Sequence, residues 1–133
     1  MEETSSQEIN IVAGLITDSE QRVLLVRKRG TEYFMQPGGK LGCGESPMQT
    51  LAREIREELG CAIIQGSETY LGRFSAQAAN EPGYTLNADL YRIELEGRPR
   101  AMAEIVEIVW LPTNNPDALK LAPFTRDAVL PLV

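Results

Sequence analysis

The sequence of 133 residues contains no histidine and only two cysteines, Cys43 and Cys61. Without histidine there is no Ser-His-Asp triad, no imidazole general base and no histidine-ligated zinc or haem. Two cysteines are too few for a four-cysteine zinc site or a disulfide framework, and a pair of reduced intracellular thiols is the default interpretation. Any metal should therefore be a hard cation that is bound by oxygen atoms.

Long apolar runs and an excess of positive charge are also absent. No stretch approaches the ~20 apolar residues that a membrane-spanning helix needs, and the acidic, polar segment from Met1 to Asn10 lacks the regions of a signal peptide. The net charge of −6 argues against a general nucleic-acid binder, although a bound divalent cation reverses the local field for a small phosphorylated ligand. We therefore expect a cytoplasmic protein with no membrane and no nucleic-acid polymer as partner, and we leave homodimerisation open.

The length and the 43% of apolar residues predict one globular domain. We expect residues 1–8 to be a polar tail and residues 9–133 to be the domain. Strand-like patterns lie at 9–16, 23–29, 62–64, 70–74, 85–95 and 104–111, and short helices are expected near 117–121 and 125–130. Strands and helices mixed in this order predict an α/β or α+β sandwich with a mixed sheet.

A glycine-rich segment, residues 30–44, precedes a clear helix start. We expect this segment to be a long functional loop, because its flanks are regular. Ser46 suits the N-cap, Pro47 the first helical position and Gln49 the third position of a capping box. The helix should end near Leu59, with Gly60 in the left-handed conformation that ends many helices.

Three glutamates, Glu54, Glu57 and Glu58, lie on adjacent turns of this helix. Their charges repel one another, and a hard cation such as Mg2+ or Mn2+ would relieve that repulsion. Gly38 and Gly39 would let the backbone approach the cation closely, because they have no side chains. An acidic helix face is usually only a solvated surface, but the adjacent glycine-rich loop and the capped helix start favour a metal site.

The segment from Gly39 to Cys61 resembles the signature of the Nudix hydrolases, Gx5Ex7REUxEExGU, in which U is a bulky aliphatic residue. The single departure is Cys61 at the last aliphatic position. The matching residues are Gly39-x5-Glu45-x7-Arg53-Glu54-Ile55-x-Glu57-Glu58-x-Gly60-Cys61. The flanking segments Gln36-Pro37-Gly38-Gly39-Lys40 and Glu104 to Pro112 are also similar to those of the family. The resemblance implies a small MutT-like member with an α/β/α sandwich and a mixed β-sheet.

The resemblance implies a hydrolase that acts on a nucleoside diphosphate linked to another group, with Mg2+ or Mn2+ as cofactor. We expect a nucleoside triphosphate or an oxidised nucleotide to be cleaved to a monophosphate and pyrophosphate. Two alternatives stay open: an ADP-ribose or nucleotide-sugar pyrophosphatase, and a Nudix domain that senses a nucleotide without catalysis. The complete set of motif glutamates weighs against the sensor. The proline and tyrosine that mark some branches soon after the motif are missing, since Pro82 and Tyr84 lie further on.

The resemblance also implies roles for individual residues. The expected metal ligands are the Gly38 carbonyl, Glu54, Glu57 and Glu58. The expected catalytic residues are Glu54, Glu57 and Glu104, with Glu107 as the second candidate for the late glutamate. The expected substrate-binding residues are Arg27, Phe34, Gly39 and Lys40, although Arg27 is equally well explained as a solubilising charge and Phe34 as a core residue. The expected structural residues of the motif are Glu45, Arg53 and Gly60, with the first two joining the loop to the helix.

Overall fold

A computed structural model of the chain describes residues 7–133, so residues 1–6 of the expected tail lie outside the described part. Glu8, which we placed in the tail, is the first residue of a strand. The regular elements are β1 (Glu8–Leu15), β2 (Arg22–Lys28), β3 (Gly38–Lys40), α1 (Pro47–Leu59), β4 (Ala62–Ile63), β5 (Thr69–Gln77), β6 (Thr85–Arg92), β7 (Leu95–Glu96) and β8 (Ile105–Pro112). No helix among the described residues is long and apolar enough to cross a bilayer.

The main sheet has four strands in the order β3-β1-β6-β5. Strands β1 and β6 pair in parallel, whereas β1 with β3 and β5 with β6 pair antiparallel. The predicted mixed sheet in an α+β fold is therefore confirmed. Two antiparallel strand pairs, β2 with β8 and β4 with β7, stand beside this sheet. The pattern that predicted one strand over residues 85–95 is divided between β6 and β7, because Leu95 pairs with Ile63 of β4 rather than continuing the main sheet.

Helix α1 has the bounds that the sequence predicts. The N–H of Gln49 donates to Ser46 Oγ at 3.2 Å and the N–H of Ser46 donates to Gln49 Oε1 at 2.8 Å, which completes the capping box. The helix ends at Gly60, which has φ 70°. Its buried side chains include Leu51, Ile55 and Leu59, so its carboxylates lie on an element that the core holds in place.

Two hydrophobic cores lie on opposite faces of the strands. Val12 of β1 belongs to the core that α1 covers, whereas the next residue, Ala13, belongs to the core that contains Phe124 and Val129. Successive residues of a strand point to opposite faces, so β1 contributes to both cores. The C-terminal segment forms the second covering layer, and the chain has the three layers of a sandwich.

The C-terminal layer differs from the two predicted helices. The segment near 117–121 is a single 3-10 turn, Pro116–Ala118, and the segment near 125–130 is a π-helical turn, Thr125–Val129, followed by a 3-10 turn, Leu130–Leu132. Proline 131 has no N–H to donate and its ring conflicts with an α-helical turn before it. Residues 125–130 are helical nonetheless, and the N–H of Leu130 donates to the carbonyl of Thr125, which gives π rather than α geometry.

The glycine-rich segment of residues 30–44 is only partly a loop. It contains β3, whose Gly39 pairs with Val12 of β1, and Met35 forms an isolated bridge with Val26. A strand of three residues with two glycines has almost no strand propensity of its own. The pairing with β1 fixes this strand, which is why the sequence pattern does not show it.

Candidate active site

Two carboxylates of α1 lie against the backbone of β3. The N–H of Gly38 donates to Glu58 Oε1 at 3.2 Å, and Glu58 is only 6% exposed. A Cβ atom on Gly39 would lie 2.6 Å from the Cδ and Oε2 atoms of Glu54, so a side chain at this position would displace the Glu54 carboxylate from where it lies. The predicted ligands Gly38, Glu54 and Glu58 are thus brought together in one place.

Burial changes the ionisation of this pair. The pKa of Glu58 is raised to about 8, chiefly by desolvation and to a smaller extent by the neighbouring Glu54. Lys28 and the N–H of Gly38 act in the opposite direction but offset only part of the shift. A buried carboxylate beside a second carboxylate is costly unless positive charge compensates it. The donor atoms are all hard oxygens, so the pair fits a divalent cation of the Mg2+ type.

The third predicted carboxylate, Glu57, points elsewhere. Its side chain is 53% exposed and its Oε1 atom lies 3.4 Å from Nη1 of Arg53. Within residues 7–133, no three acidic or cysteine side chains are arranged as a ready metal site. Glu57 would therefore have to leave Arg53 in order to join Glu54 and Glu58 around a cation.

Arg53 joins the end of the glycine-rich segment to α1. Its Nε and Nη2 atoms donate to the two carboxylate oxygens of Glu45, each at 3.0 Å. Thr50 Oγ1 also donates to Glu45 Oε1, at 2.8 Å, and accepts from the N–H of Gly42 at 3.1 Å. The hydrogen bonds from Arg53 and then from Thr50 lower the pKa of Glu45. This bidentate pair and its hydroxyl link keep the loop in a fixed position relative to the glutamates.

A cavity of about 290 Å³ adjoins the carboxylates through Gly38 and Gly39, which line it. The apolar part of its wall consists of Ile9, Ile11, Met35, Leu86 and Phe124. The cationic part consists of Lys28, Arg29 and Lys40. The remaining lining residues are Glu104, residues 77–81 at the end of β5 and after it, Thr31, Gln36 and Ala122. The cavity thus combines an apolar surface of the kind that holds a ring with positive charge near the glycines.

The substrate-binding residues that we predicted fall into two groups. Gly39 and Lys40 line the cavity, and so does the predicted catalytic residue Glu104. Arg27 instead donates through Nε to Glu107 Oε1 and through Nη1 to the carbonyl of Thr31, each at 3.1 Å. Glu107 is thus paired with Arg27 and is not among the residues that line the cavity, whereas Glu104 is.

Phe34 belongs to the core rather than to the cavity. It is 7% exposed and packs in the same cluster as Leu25, Leu121 and Phe124. The Arg27 guanidinium lies 5.9 Å from the centroid of its ring. Of the two interpretations of Phe34 from the sequence, the core residue is the one that the structure supports.

Several residues of the cavity wall were not identified from the sequence. Lys28 and Arg29 directly follow Arg27 in a basic run. Both of them line the cavity, whereas the predicted substrate-binding residue Arg27 does not. Gln36 lies in the segment before Gly38, and the pattern of that segment predicts no binding role for its side chain. Phe124 and residues 77–81 are distant in sequence, and no local pattern indicates that they meet the glycines.

The sequence of the chain is similar to those of known proteins. A family model described as the NUDIX domain matches residues 9–132. The chain is 29% identical over 117 residues to the uncharacterized Nudix hydrolase YvcI of Bacillus subtilis, with 84% of this chain and 72% of that protein covered. It is 32% identical over 120 residues to the putative 8-oxo-dGTP diphosphatase 2 of Mycobacterium tuberculosis, covering 79% and 82%. It is 25% identical over 103 residues to the ADP-ribose pyrophosphatase of Methanocaldococcus jannaschii, but spans only 60% of that protein.

Solved structures show the same fold. The MutT NUDIX hydrolase from Burkholderia pseudomallei matches with a TM-score of 0.69 and 26% identity, over 82% of this chain and 86% of that one. The MutT protein from Methanosarcina mazei Go1 matches with a TM-score of 0.75 and 21% identity, over 94% and 92%. The second similarity is one of fold alone.

Proposed function

The chain belongs to the Nudix family, and on this premise we propose that it is a divalent-metal-dependent pyrophosphohydrolase that cleaves a nucleoside triphosphate or an oxidised nucleotide to a monophosphate and pyrophosphate. The observation that carries the proposal is the position of Gly38 and Gly39. These two residues contact the Glu54 and Glu58 carboxylates and also line the cavity. A phosphate chain that leaves the cavity along the glycines would therefore meet the glutamates.

The lining of the cavity supports a nucleotide as the substrate. The apolar wall suits a base, and the ammonium and guanidinium groups of Lys28, Arg29 and Lys40 suit phosphate oxygens. A volume of about 290 Å³ lies at the small end of the roughly 300–1,000 Å³ that is usual for ligand sites. This size favours one nucleoside over a molecule with two large groups. The relative from Mycobacterium tuberculosis supports the same class, because its name describes an 8-oxo-dGTP diphosphatase.

Glu54, Glu58 and the Gly38 carbonyl are the groups that would hold the divalent cation, with Glu57 as the residue that joins them. When bound, such a cation neutralises phosphate charge and lowers the pKa of a coordinated water. We propose Mg2+ or Mn2+, because every available donor is a hard oxygen.

The remaining steps belong to residues of the cavity. Lys28 and Arg29 bind phosphate oxygens and hold the substrate in one orientation. Glu104 accepts the proton of the attacking water, and Glu54 is the alternative base. The Arg53–Glu45 pair keeps the loop in register with α1.

A substrate panel tests this proposal. The wild-type protein is incubated with nucleoside triphosphates, oxidised nucleotides, nucleotide sugars, ADP-ribose and dinucleoside polyphosphates, with Mg2+ or Mn2+ and with a chelator as control. We expect a monophosphate and pyrophosphate from a triphosphate, and no turnover with the chelator. Preferred cleavage of ADP-ribose or a nucleotide sugar would contradict the triphosphate, and nucleotide binding without turnover of any compound would favour the sensor.

The base is tested with two matched variants. Glu104→Gln should lower kcat far more than Glu107→Gln, since only Glu104 lines the cavity while Glu107 is paired with Arg27. The reverse order would assign the base to Glu107, and equal wild-type rates for both would leave Glu54 as the base.

A further inference from the structure

Gln36 has an unusual position in the cavity wall. Gln36 is one of the residues that line the cavity, although it is only 6% exposed. Its Nε2 atom donates to the carbonyl of Gly14 at 3.0 Å. Its Oε1 atom has no hydrogen-bond partner among residues 7–133, and the only other buried side-chain atom in the described chain with this property is Oγ1 of Thr125.

The orientation of the Gln36 amide is determined by its partner. The Gly14 carbonyl only accepts hydrogen bonds, so the NH2 group must face it and the oxygen must face the other way. Oε1 is therefore a fixed acceptor. A buried acceptor without a partner costs free energy, and each such atom in a native protein calls for an explanation.

We propose that Gln36 is a specificity residue for the nucleobase, and that its Oε1 atom accepts a hydrogen bond from an N–H group on the edge of the base. This inference rests on the proposed function, since it names the part of a nucleotide that the cavity reads. Ile9, Ile11 and Leu86 line the same cavity, so a base that packs on this apolar part of the wall would lie in the same cavity as the Gln36 acceptor. An isolated acceptor of this kind discriminates well, because a base without the N–H leaves it unpaired.

The approach of the base requires a small movement of the cavity wall. Oε1 is shielded from solvent in the chain without a ligand. Met35 precedes Gln36 and lines the same cavity, and an unbranched methionine side chain adapts readily to a new neighbour.

Binding of nucleoside monophosphates tests the inference without any need for turnover. Calorimetric titrations compare adenosine with purine riboside, cytidine with pyrimidin-2-one riboside, guanosine with inosine, and uridine with 3-methyluridine, each as the 5′-monophosphate. The first member of each pair carries an N–H group that the second lacks. We expect the wild type to prefer the N–H compound by about tenfold in at least one pair, and Gln36→Met, which has a similar shape but no acceptor oxygen, to lose that preference.

Thr125→Val is the matched control. It removes the other unpaired buried oxygen, which is not part of the cavity wall, and it should keep the wild-type preference. Should Gln36→Met fail to fold, Gln36→Asn shortens the amide while keeping its polarity and should also lose the preference. The inference is overturned if no pair shows a preference, if the preference survives in the Gln36 variants, or if Thr125→Val loses it equally.

The two proposals fail in different ways. A wild-type protein that discriminates among monophosphates but hydrolyses no member of the substrate panel would contradict the proposed function and support the reading of the base by Gln36. A protein that hydrolyses triphosphates while Gln36→Met leaves all four preferences unchanged would support the function and contradict the role of Gln36.

Discussion

Among single residues, Arg53 shows how one side chain can organise a site that it does not enter. It binds both oxygens of Glu45 and also lies within 3.4 Å of Glu54 and Glu57. Hydrogen bonding with Glu45, opposed in part by desolvation, raises the pKa of Arg53 further, so the guanidinium stays charged at every relevant pH. It therefore sets the loop position, and its Nη1 atom at the same time bridges the carboxylates of Glu54 and Glu57.

Replacing Arg53 with lysine should separate geometry from charge. A lysine keeps the positive charge but cannot donate two parallel hydrogen bonds to Glu45. We expect Arg53→Lys to slow metal-dependent hydrolysis by roughly tenfold, the usual effect of removing a group that orients ligands, and to lower the melting temperature. Steady-state kinetics and thermal denaturation measure the two effects.

Arg56→Lys is the control for this substitution, because Arg56 is an exposed residue of the same helix. It should behave like the wild type. If Arg53→Lys and Arg56→Lys had the same kinetics and the same melting temperature, the link from loop to helix would not matter for the site.

Among the elements, α1 could be predicted from the sequence almost completely, whereas β3 could not. The start and end of α1 depend on local signals, Ser46, Gln49 and Gly60, which act through hydrogen bonds to residues nearby in the chain. Strand β3 depends on β1, which lies far away in the sequence, and its glycines carry no strand signal. The C-terminal segment has short helical turns where the sequence predicts one or two short helices, but their 3-10 and π geometry is not indicated by the pattern.

The turn between β1 and β2 gives a prediction about pH. Asp18 Oδ1 accepts from the N–H groups of Glu20 and Arg22, each at 2.9 Å, and Oδ2 accepts from Arg22 Nε at 2.7 Å. Desolvation raises the pKa of Asp18, but the hydrogen bonds from Arg22 and Glu20 outweigh it and hold the pKa below its ordinary value of 3.8. A lowered pKa means that the folded state favours the ionised carboxylate.

The contribution of Asp18 to stability should therefore be present above pH 3.8 and lost as the pH falls through its lower folded-state pKa. Asp18→Asn should be less stable than the wild type at neutral pH, and the difference should shrink in strong acid, as measured by denaturant midpoints. Glu20→Gln, on the same turn but more exposed, is the control and should show a smaller difference at neutral pH. A gap between wild type and Asp18→Asn that is equal at both pH values would show that ionisation of Asp18 does not stabilise the turn.

At the scale of the whole molecule, the glutamates could be found from the sequence but the cavity could not. The motif from Gly39 to Cys61 is continuous, so its members are recognised together. The cavity is assembled from β1, the end of β2, residues 77–81, Leu86 and Phe124, and only the fold brings these segments together. That residues 9–133 form one domain, and that the protein is cytoplasmic, stay predictions.

Arg27 illustrates the limit of the sequence. The pattern indicates strand β2, but the ladder between β2 and β8 has an irregularity between Arg27 and Lys28, and Arg29 lies beyond the end of the strand. The basic residues at this end of β2 that line the cavity are Lys28 and Arg29. A pattern in the chain gives the strand, whereas the pairing with β8 decides which of its residues face the cavity.

The buried carboxylate of Glu58 is the central residue of the metal site that we propose for hydrolysis. The most direct measurement is the rate of hydrolysis of the preferred nucleotide as a function of Mg2+ concentration, for the wild type, for Glu58→Gln and for Glu68→Gln, an exposed glutamate. Glutamine keeps an acceptor for the Gly38 N–H but removes the charge, so Glu58→Gln should fold at least as well without metal. We predict that its turnover falls by about 100-fold while Glu68→Gln stays at the wild-type rate. Wild-type turnover with an unchanged Mg2+ dependence in Glu58→Gln would contradict the account.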